Sequence, residues 1–229
     1  MIMVEGNIGS GKSTFVSKFD PIVTVKMENI SEIMQLAFYT DPEVYGPIVQ
    51  FHMLPKRMMQ AQSMYYRGNA VLDRSVIGDY AFALWNTAIG NLDATMWSMY
   101  RREAGETPSH AIAKIGTAPV ICYLHETPVQ CQHNVQTRNG PDRAISLGYL
   151  QGIAAAHLIC LASLPVSTRI IVLHRDEHWN EDYIDITAIA SHALATRPML
   201  AELAETALLE VSDLTARVFL QKFWESCRK

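Results

Sequence analysis

The chain has 229 residues, 49% of them apolar and 18% charged, with a formal net charge of −4. That size and balance suit a single α/β domain with a well-buried core, and the negative charge argues against nucleic acid as the main ligand. No apolar run reaches membrane-spanning length and no leader precedes the first strand, so the expectation is a cytoplasmic protein with no membrane partner.

Short β-rich runs at residues 1–4, 22–25, 70–72, 119–124 and 169–173 alternate with longer helical stretches. The last two are continuous apolar runs, as expected of strands covered on both faces. This alternation predicts an α/β fold with a five-stranded parallel sheet flanked by helices. After the first strand, Gly6-Asn7-Ile8-Gly9-Ser10-Gly11-Lys12-Ser13 fits the phosphate-loop pattern G-x-x-x-x-G-K-[ST], with a helix predicted over residues 14–19. The glycines let backbone N–H groups curl around phosphate oxygens at a helix N-terminus. Lys12 is placed to reach the β- and γ-phosphates of a nucleoside triphosphate, and the Ser13 hydroxyl to ligate Mg²⁺.

A helical region over about residues 28–67 is expected to break near Pro42, Pro47 and Pro55. Met53, Met58, Met59 and Met64 in it read as helix core or pocket wall. A further helical block spans about residues 77–116, and a helical C-terminal extension about 187–229. The four cysteines form no C-x-x-C pair, and the eight histidines form no H-x-x-x-H or H-E-x-x-H cluster. Reduced thiols and no protein-held transition metal are therefore expected.

The loop alone does not choose among phosphate-loop proteins. No N-K-x-D motif supports a GTPase, and no apolar strand ending in Asp-Glu supports a motor ATPase. Asp73-Arg74-Ser75 instead follows the third strand. A carboxylate at that strand end faces the phosphate loop, where it can help hold Mg²⁺, and the adjacent arginine can steady a transferring phosphoryl group.

The chain resembles the deoxyribonucleoside kinases, which include deoxycytidine, deoxyguanosine and mitochondrial thymidine kinases. The resemblance runs through Val4-Glu5-Gly6-Asn7-Ile8-Gly9-Ser10-Gly11-Lys12-Ser13-Thr14, Tyr39-Thr40-Asp41-Pro42 with Gln50, and Asp73-Arg74-Ser75-Val76. It continues through Tyr123-Leu124, Thr127-Pro128, Arg138, Ile145-Ser146-Leu147-Gly148-Tyr149-Leu150 and Asn180-Glu181-Asp182-Tyr183. His157 also matches, and reads as a packed helix histidine. These landmarks cover about residues 1–183 in order.

The resemblance implies transfer of the γ-phosphoryl of ATP, with Mg²⁺, to the 5′-OH of a deoxyribonucleoside. Glu28 would serve as base, Arg74 and the lid arginines Arg138 and Arg143 would neutralise phosphoryl charge, and Asp182 and Tyr183 would flank the donor adenine. Tyr39 and Asp142 would hold the sugar 3′-OH, while Gln50 reads the base, Phe82 stacks on it and an Arg57–Asp79 pair fixes its polarity. Asp73 stands in place of the family's more usual glutamate, Ile33 in place of a tryptophan, and the lid (about 138–143) is one residue shorter. Arginine at 57 and aspartate at 79 favour deoxycytidine and purine deoxynucleosides, with thymidine left open. A homodimer is implied by the resemblance, while the short leaderless form leads to the expectation of a cytosolic location, the host cytosol should the chain be viral. The rivals are a thymidylate-type nucleoside monophosphate kinase and a nucleotide-binding regulatory module that has lost catalysis.

Overall fold

The computed structural model describes residues 1–228 apart from 20–23, 27–29, 66–68, 117–118, 139 and 175–193. Five parallel strands form one sheet in the order β2-β3-β1-β4-β5. They are β1 (Ile2–Gly6), β2 (Thr24–Lys26), β3 (Ala70–Asp73), β4 (Val120–His125) and β5 (Arg169–His174). The central strand β1 is buried along its whole length. Its register sets Val4 beside Asp73 of β3 and Gly6 beside Leu124 of β4.

The two-residue period of the strands divides their side chains between two cores. Met3, Leu72, Ile121, Tyr123 and Ile170 point to the larger one. Ile2, Val4, Val71, Cys122, Leu124, Ile171 and Leu173 point to the smaller, closed by Phe15, Val16 and Phe19. The helix after the loop, α1, is Lys12–Val16 rather than residues 14–19. Gly11 is left-handed, so helical geometry starts at the lysine itself.

Helix α2 (Glu32–Thr40) is capped by Ser31 and ends at Asp41. The expected breaks at Pro47 and Pro55 do not occur: α3 runs without interruption over Pro42–Tyr65. An interior proline costs roughly 3 kcal/mol in an isolated helix. Here tertiary packing overrides that cost, because Gly46, Pro47, Gln50, Met53, Leu54, Arg57, Ala61 and Met64 form one buried face. Met53 and Met64 are core as expected, whereas Met59 is exposed. The block at 77–116 resolves into α4 (Val76–Ala88), α5 (Ala94–Ala104) and α6 (Pro108–Lys114), with N-caps Ser75, Asp93 and Thr107.

Beyond β4 lie α7 (Pro128–Thr137), a 3₁₀ turn at Pro141–Ala144 and α8 (Leu147–Ala162). Helix α8 is apolar nearly all round because α4, α7 and the C-terminal helices pack against it. The last two helices, α9 (Arg197–Glu210) and α10 (Leu214–Cys227), bury Leu200, Leu208, Leu220 and Trp224 in the larger core.

Candidate active site

The sheet order places β1 between β3 and β4, so connections leave on both sides of it and open a crevice at its C-terminal end. The loop of residues 6–13 occupies that crevice. Gly9 has φ +80°, and a Cβ there would lie 2.4 Å from the Cys131 carbonyl oxygen. Only glycine suits that backbone and that space. The loop is braced from behind: Asn7 Nδ2 donates to the Leu150 carbonyl at 2.8 Å, and Asn134 Nδ2 donates to the Gly9 carbonyl at 2.8 Å. The Asn7 side-chain oxygen accepts from the Ile8 N–H at 2.8 Å. Lys12, buried, reaches back across the mouth to donate to the Asn7 carbonyl at 2.6 Å.

Below the loop, the Ser13 hydroxyl donates to Asp73 Oδ2 at 3.0 Å. The other carboxylate oxygen, Oδ1, is buried without a hydrogen-bond partner. A buried orphan oxygen beside a hydroxyl at a phosphate-binding loop has the donor chemistry of a Mg²⁺ site. Arg74 follows with φ +67°, an unusual conformation for a residue bearing a side chain and one that costs on the order of 1–3 kcal/mol. Its guanidinium donates to the Gly6 carbonyl at 3.0 Å and stacks over the Phe82 ring at 4.9 Å.

A cavity of about 390 Å³ runs from Lys12, Ser13 and Thr14 to a buried polar cluster between α3 and α4. Helix α3 contributes Gln50 and Arg57, and α4 contributes Asp79, Phe82 and Asn86, residues at spacings that share one helical face. Asp79 is the hub. Gln50 Nε2 donates to its Oδ2 at 2.7 Å and to its backbone carbonyl at 2.9 Å. The Tyr100 hydroxyl donates to Oδ2 at 2.8 Å, and Arg57 pairs with Oδ1 at 3.5 Å. Burial, followed by the Asp79 charge, holds the Tyr100 phenol well above its ordinary range, so it stays a donor.

Tyr39, at the end of α2, and Asp142, from the 3₁₀ turn packed on that helix, also line the cavity. Arg138 lines it too and pairs with Asp142, which is itself buried. Arg143 is exposed and is not among the residues lining the cavity. Ile33 likewise faces solvent, at 81% exposure, while Ile30 lines the cavity. Glu28, Asp182 and Tyr183 lie outside the described residues. His157 is fully buried, as a packed helix residue.

Sequence reasoning passed over Asn86 and Tyr100. Asn86 was reachable, since it continues the Asp79–Phe82 face of α4. Tyr100 comes from α5 and carried no local signal.

A parallel β2-β3-β1-β4-β5 sheet, with a glycine loop after its central strand and a serine–aspartate pair beneath that loop, defines a phosphate-loop α/β protein. A deoxynucleoside kinase family model matches residues 2–194, and the chain belongs to that family. It is 26% identical to a deoxyadenosine kinase of Dictyostelium discoideum over 161 residues, 68% of this chain and 64% of the relative. It is 28% identical to a deoxyguanosine kinase of the same organism over 162 residues, 67% of this chain and 55% of the relative. It is 29% identical over 141 residues to a probable deoxycytidine kinase of Fowlpox virus, 53% of this chain and 58% of the relative. The matched segments thus span less than two thirds of each relative. A solved structure of deoxyadenosine kinase from M. mycoides with bound dCTP has the same fold, at 17% identity and a TM-score of 0.60, covering 82% of this chain and 94% of that one.

Proposed function

We propose that the protein transfers the γ-phosphoryl group of ATP to the 5′-OH of a deoxyribonucleoside, giving the 5′-monophosphate and ADP. One observation carries the reading: the phosphate loop and the Gln50–Arg57–Asp79 cluster line a single cavity. Phosphate chemistry and a buried polar cluster on the walls of one cavity suit two substrates meeting there.

Loop N–H groups and Lys12 bind the donor phosphates. Ser13 and Asp73 hold Mg²⁺, which when bound supplies counter-charge to the phosphate oxygens. Arg74 and Arg138 neutralise charge spread over the transferring phosphoryl group. Glu28 accepts the 5′-OH proton, and Asp182 and Tyr183 border the donor adenine. Tyr39 and Asp142 position the sugar through its 3′-OH. Gln50, Arg57 and Phe82 meet the base, with Asp79 holding the first two in place.

The Arg57–Asp79 pair favours deoxycytidine and purine deoxynucleosides, and the relatives described as deoxyadenosine, deoxyguanosine and probable deoxycytidine kinases support the same preference. We further infer a homodimer.

The test is product analysis with ATP and Mg²⁺ across the four deoxynucleosides and thymidylate. Monophosphate formation from deoxycytidine or a purine deoxynucleoside is expected to exceed that from thymidine. Thymidine as the best acceptor would overturn the base preference. Turnover of thymidylate alone would make this a monophosphate kinase, and ATP binding without any product would make it a regulatory module.

A further inference from the structure

Glu5, the last residue before the loop's first glycine, is fully buried and has no part in the site described above. Its Oε1 accepts from the Ser75 N–H at 2.7 Å, the Ser75 hydroxyl at 2.5 Å and the Gly78 N–H at 3.1 Å. These N–H groups open helix α4, where negative character is favoured. A Cβ at Gly78 would lie 2.4 Å from Glu5 Oε2, so the carboxyl group fills the space a larger residue would need.

The clamp falls on either side of Arg74. The Arg74 N–H donates to the Val4 carbonyl at 2.9 Å, continuing the β1–β3 pairing, and the next N–H, that of Ser75, goes to the Glu5 side chain. Two successive residues of β1 therefore grip two successive N–H groups around the left-handed residue. That conformation turns the Arg74 guanidinium toward Gly6 and the loop mouth. Beneath it, the Phe82 ring packs on His157, with centroids 6.0 Å apart.

We propose that Glu5 is the positioning residue that holds Arg74 in its left-handed conformation and thereby aims its guanidinium at the transferring phosphoryl group. The proposal rests on the kinase reading for the target of Arg74, but the clamp itself does not. Glu5 Oε2 and His157 Nε2 face each other at 3.9 Å, both buried and without a hydrogen-bond partner. With His157 Nδ1 on the Ile153 carbonyl at 2.9 Å, Nε2 of the neutral ring is an acceptor. A glutamine at position 5 thus keeps an oxygen for Ser75 and Gly78 and turns its NH₂ to His157, whereas alanine loses both.

The experiment compares Glu5→Gln, Glu5→Ala, Gly78→Ala, Arg74→Ala and the Glu5→Ala/Arg74→Ala double variant, with two readouts. In turnover, Glu5→Ala should lower kcat about 10- to 100-fold, the scale of an ångström-level misplacement, with both KM values little changed. Glu5→Gln should stay within about fivefold of wild type, the size of a single neutral-for-charged hydrogen-bond change. The double variant should be no slower than Arg74→Ala, because residues acting as a unit are non-additive. In ¹⁵N NMR, the Arg74 Nε resonance, assigned by its loss in Arg74→Ala, should persist in Glu5→Gln and move in Glu5→Ala and Gly78→Ala.

Multiplicative loss in the double variant, or an unmoved Arg74 resonance in the alanine variants, would overturn the proposal. A wild type that forms no product would sink the kinase reading instead, leaving the NMR comparison to decide the clamp. If Glu5→Ala does not fold, Gly78→Ala, which displaces the carboxyl group by a methyl, serves for both readouts.

Discussion

Gln50 donates twice to Asp79, at 2.7 Å to the carboxylate and 2.9 Å to the backbone carbonyl. These bonds take up the carboxamide's two donors, so what Gln50 leaves for a ligand in the cavity is an acceptor. Asp79 simultaneously faces Arg57, so a single carboxylate sets the polarity of two groups that would meet the base edge.

Removing that hub should therefore cost both stability and base recognition. Asp79→Ala breaks a buried ion pair and removes the acceptor shared by Gln50 and Tyr100, a class of change worth about 3–5 kcal/mol. Denaturant unfolding should show that loss, and kcat/KM for the nucleoside should fall far more than KM for ATP rises. An Asp79→Ala protein with wild-type stability would mean that the pair is not the anchor it looks to be.

Tyr100→Phe tests the support behind the hub. It deletes one hydrogen bond to a charged, buried group, worth roughly 1.5–3 kcal/mol. The expected outcome is lower stability together with altered discrimination among deoxynucleosides, read from kcat/KM ratios. Unchanged ratios would confine Tyr100 to packing against Trp97 and Tyr80.

Asp73→Asn keeps the shape beside Ser13 but removes the charge from the orphan oxygen. The Mg²⁺ concentration for half-maximal turnover should rise about tenfold or more, in line with losses seen when metal sites are perturbed. Chelation of Mg²⁺ should abolish turnover of the wild type. A Mg²⁺ dependence identical in the two proteins would remove Asp73 from the metal site.

The buried imidazole of His157 gives a signed pH effect. Burial, and then the Arg74 charge, hold its pKa well below the ordinary range. The unfolded chain takes up this proton near pH ~6.5 while the folded protein does not, so stability falls as pH drops below that value. Glu5 opposes this: burial raises its pKa, so its contribution is present at low pH and is lost as pH rises through the folded value. Relative to His157→Asn, wild type should lose up to about 1.4 kcal/mol per pH unit below ~6.5. Urea unfolding at several pH values checks this, and parallel stability curves would contradict it.

The strands and the loop were legible in the chain because their signals are local. Continuous apolar runs mark strands buried on both faces, and Gly9, Gly11, Lys12 and Ser13 carry a spacing that backbone geometry demands. Arg57 and Asp79 were legible only as a family pattern, and the fold brings them together. The passage of α3 through Pro47 and Pro55 was hidden, since the compensation comes from side chains packed on other elements. Glu5 was hidden for the same reason: its partners Ser75, Gly78 and His157 are remote in sequence. The exposed Arg143 and Ile33 show the converse, positions matched by spacing that the fold turns away from the cavity.

The central claim is that Lys12–Ser13 and Gln50–Asp79 are the two ends of one site. A bisubstrate compound, adenosine joined to deoxycytidine or deoxyadenosine through a short polyphosphate, tests it directly by titration calorimetry. Occupying both ends at once should give binding about 10²-fold or more tighter than ATP or the nucleoside alone, and Gln50→Ala should erase most of that gain. Binding no tighter than ATP, and indifferent to Gln50, would contradict a shared cavity.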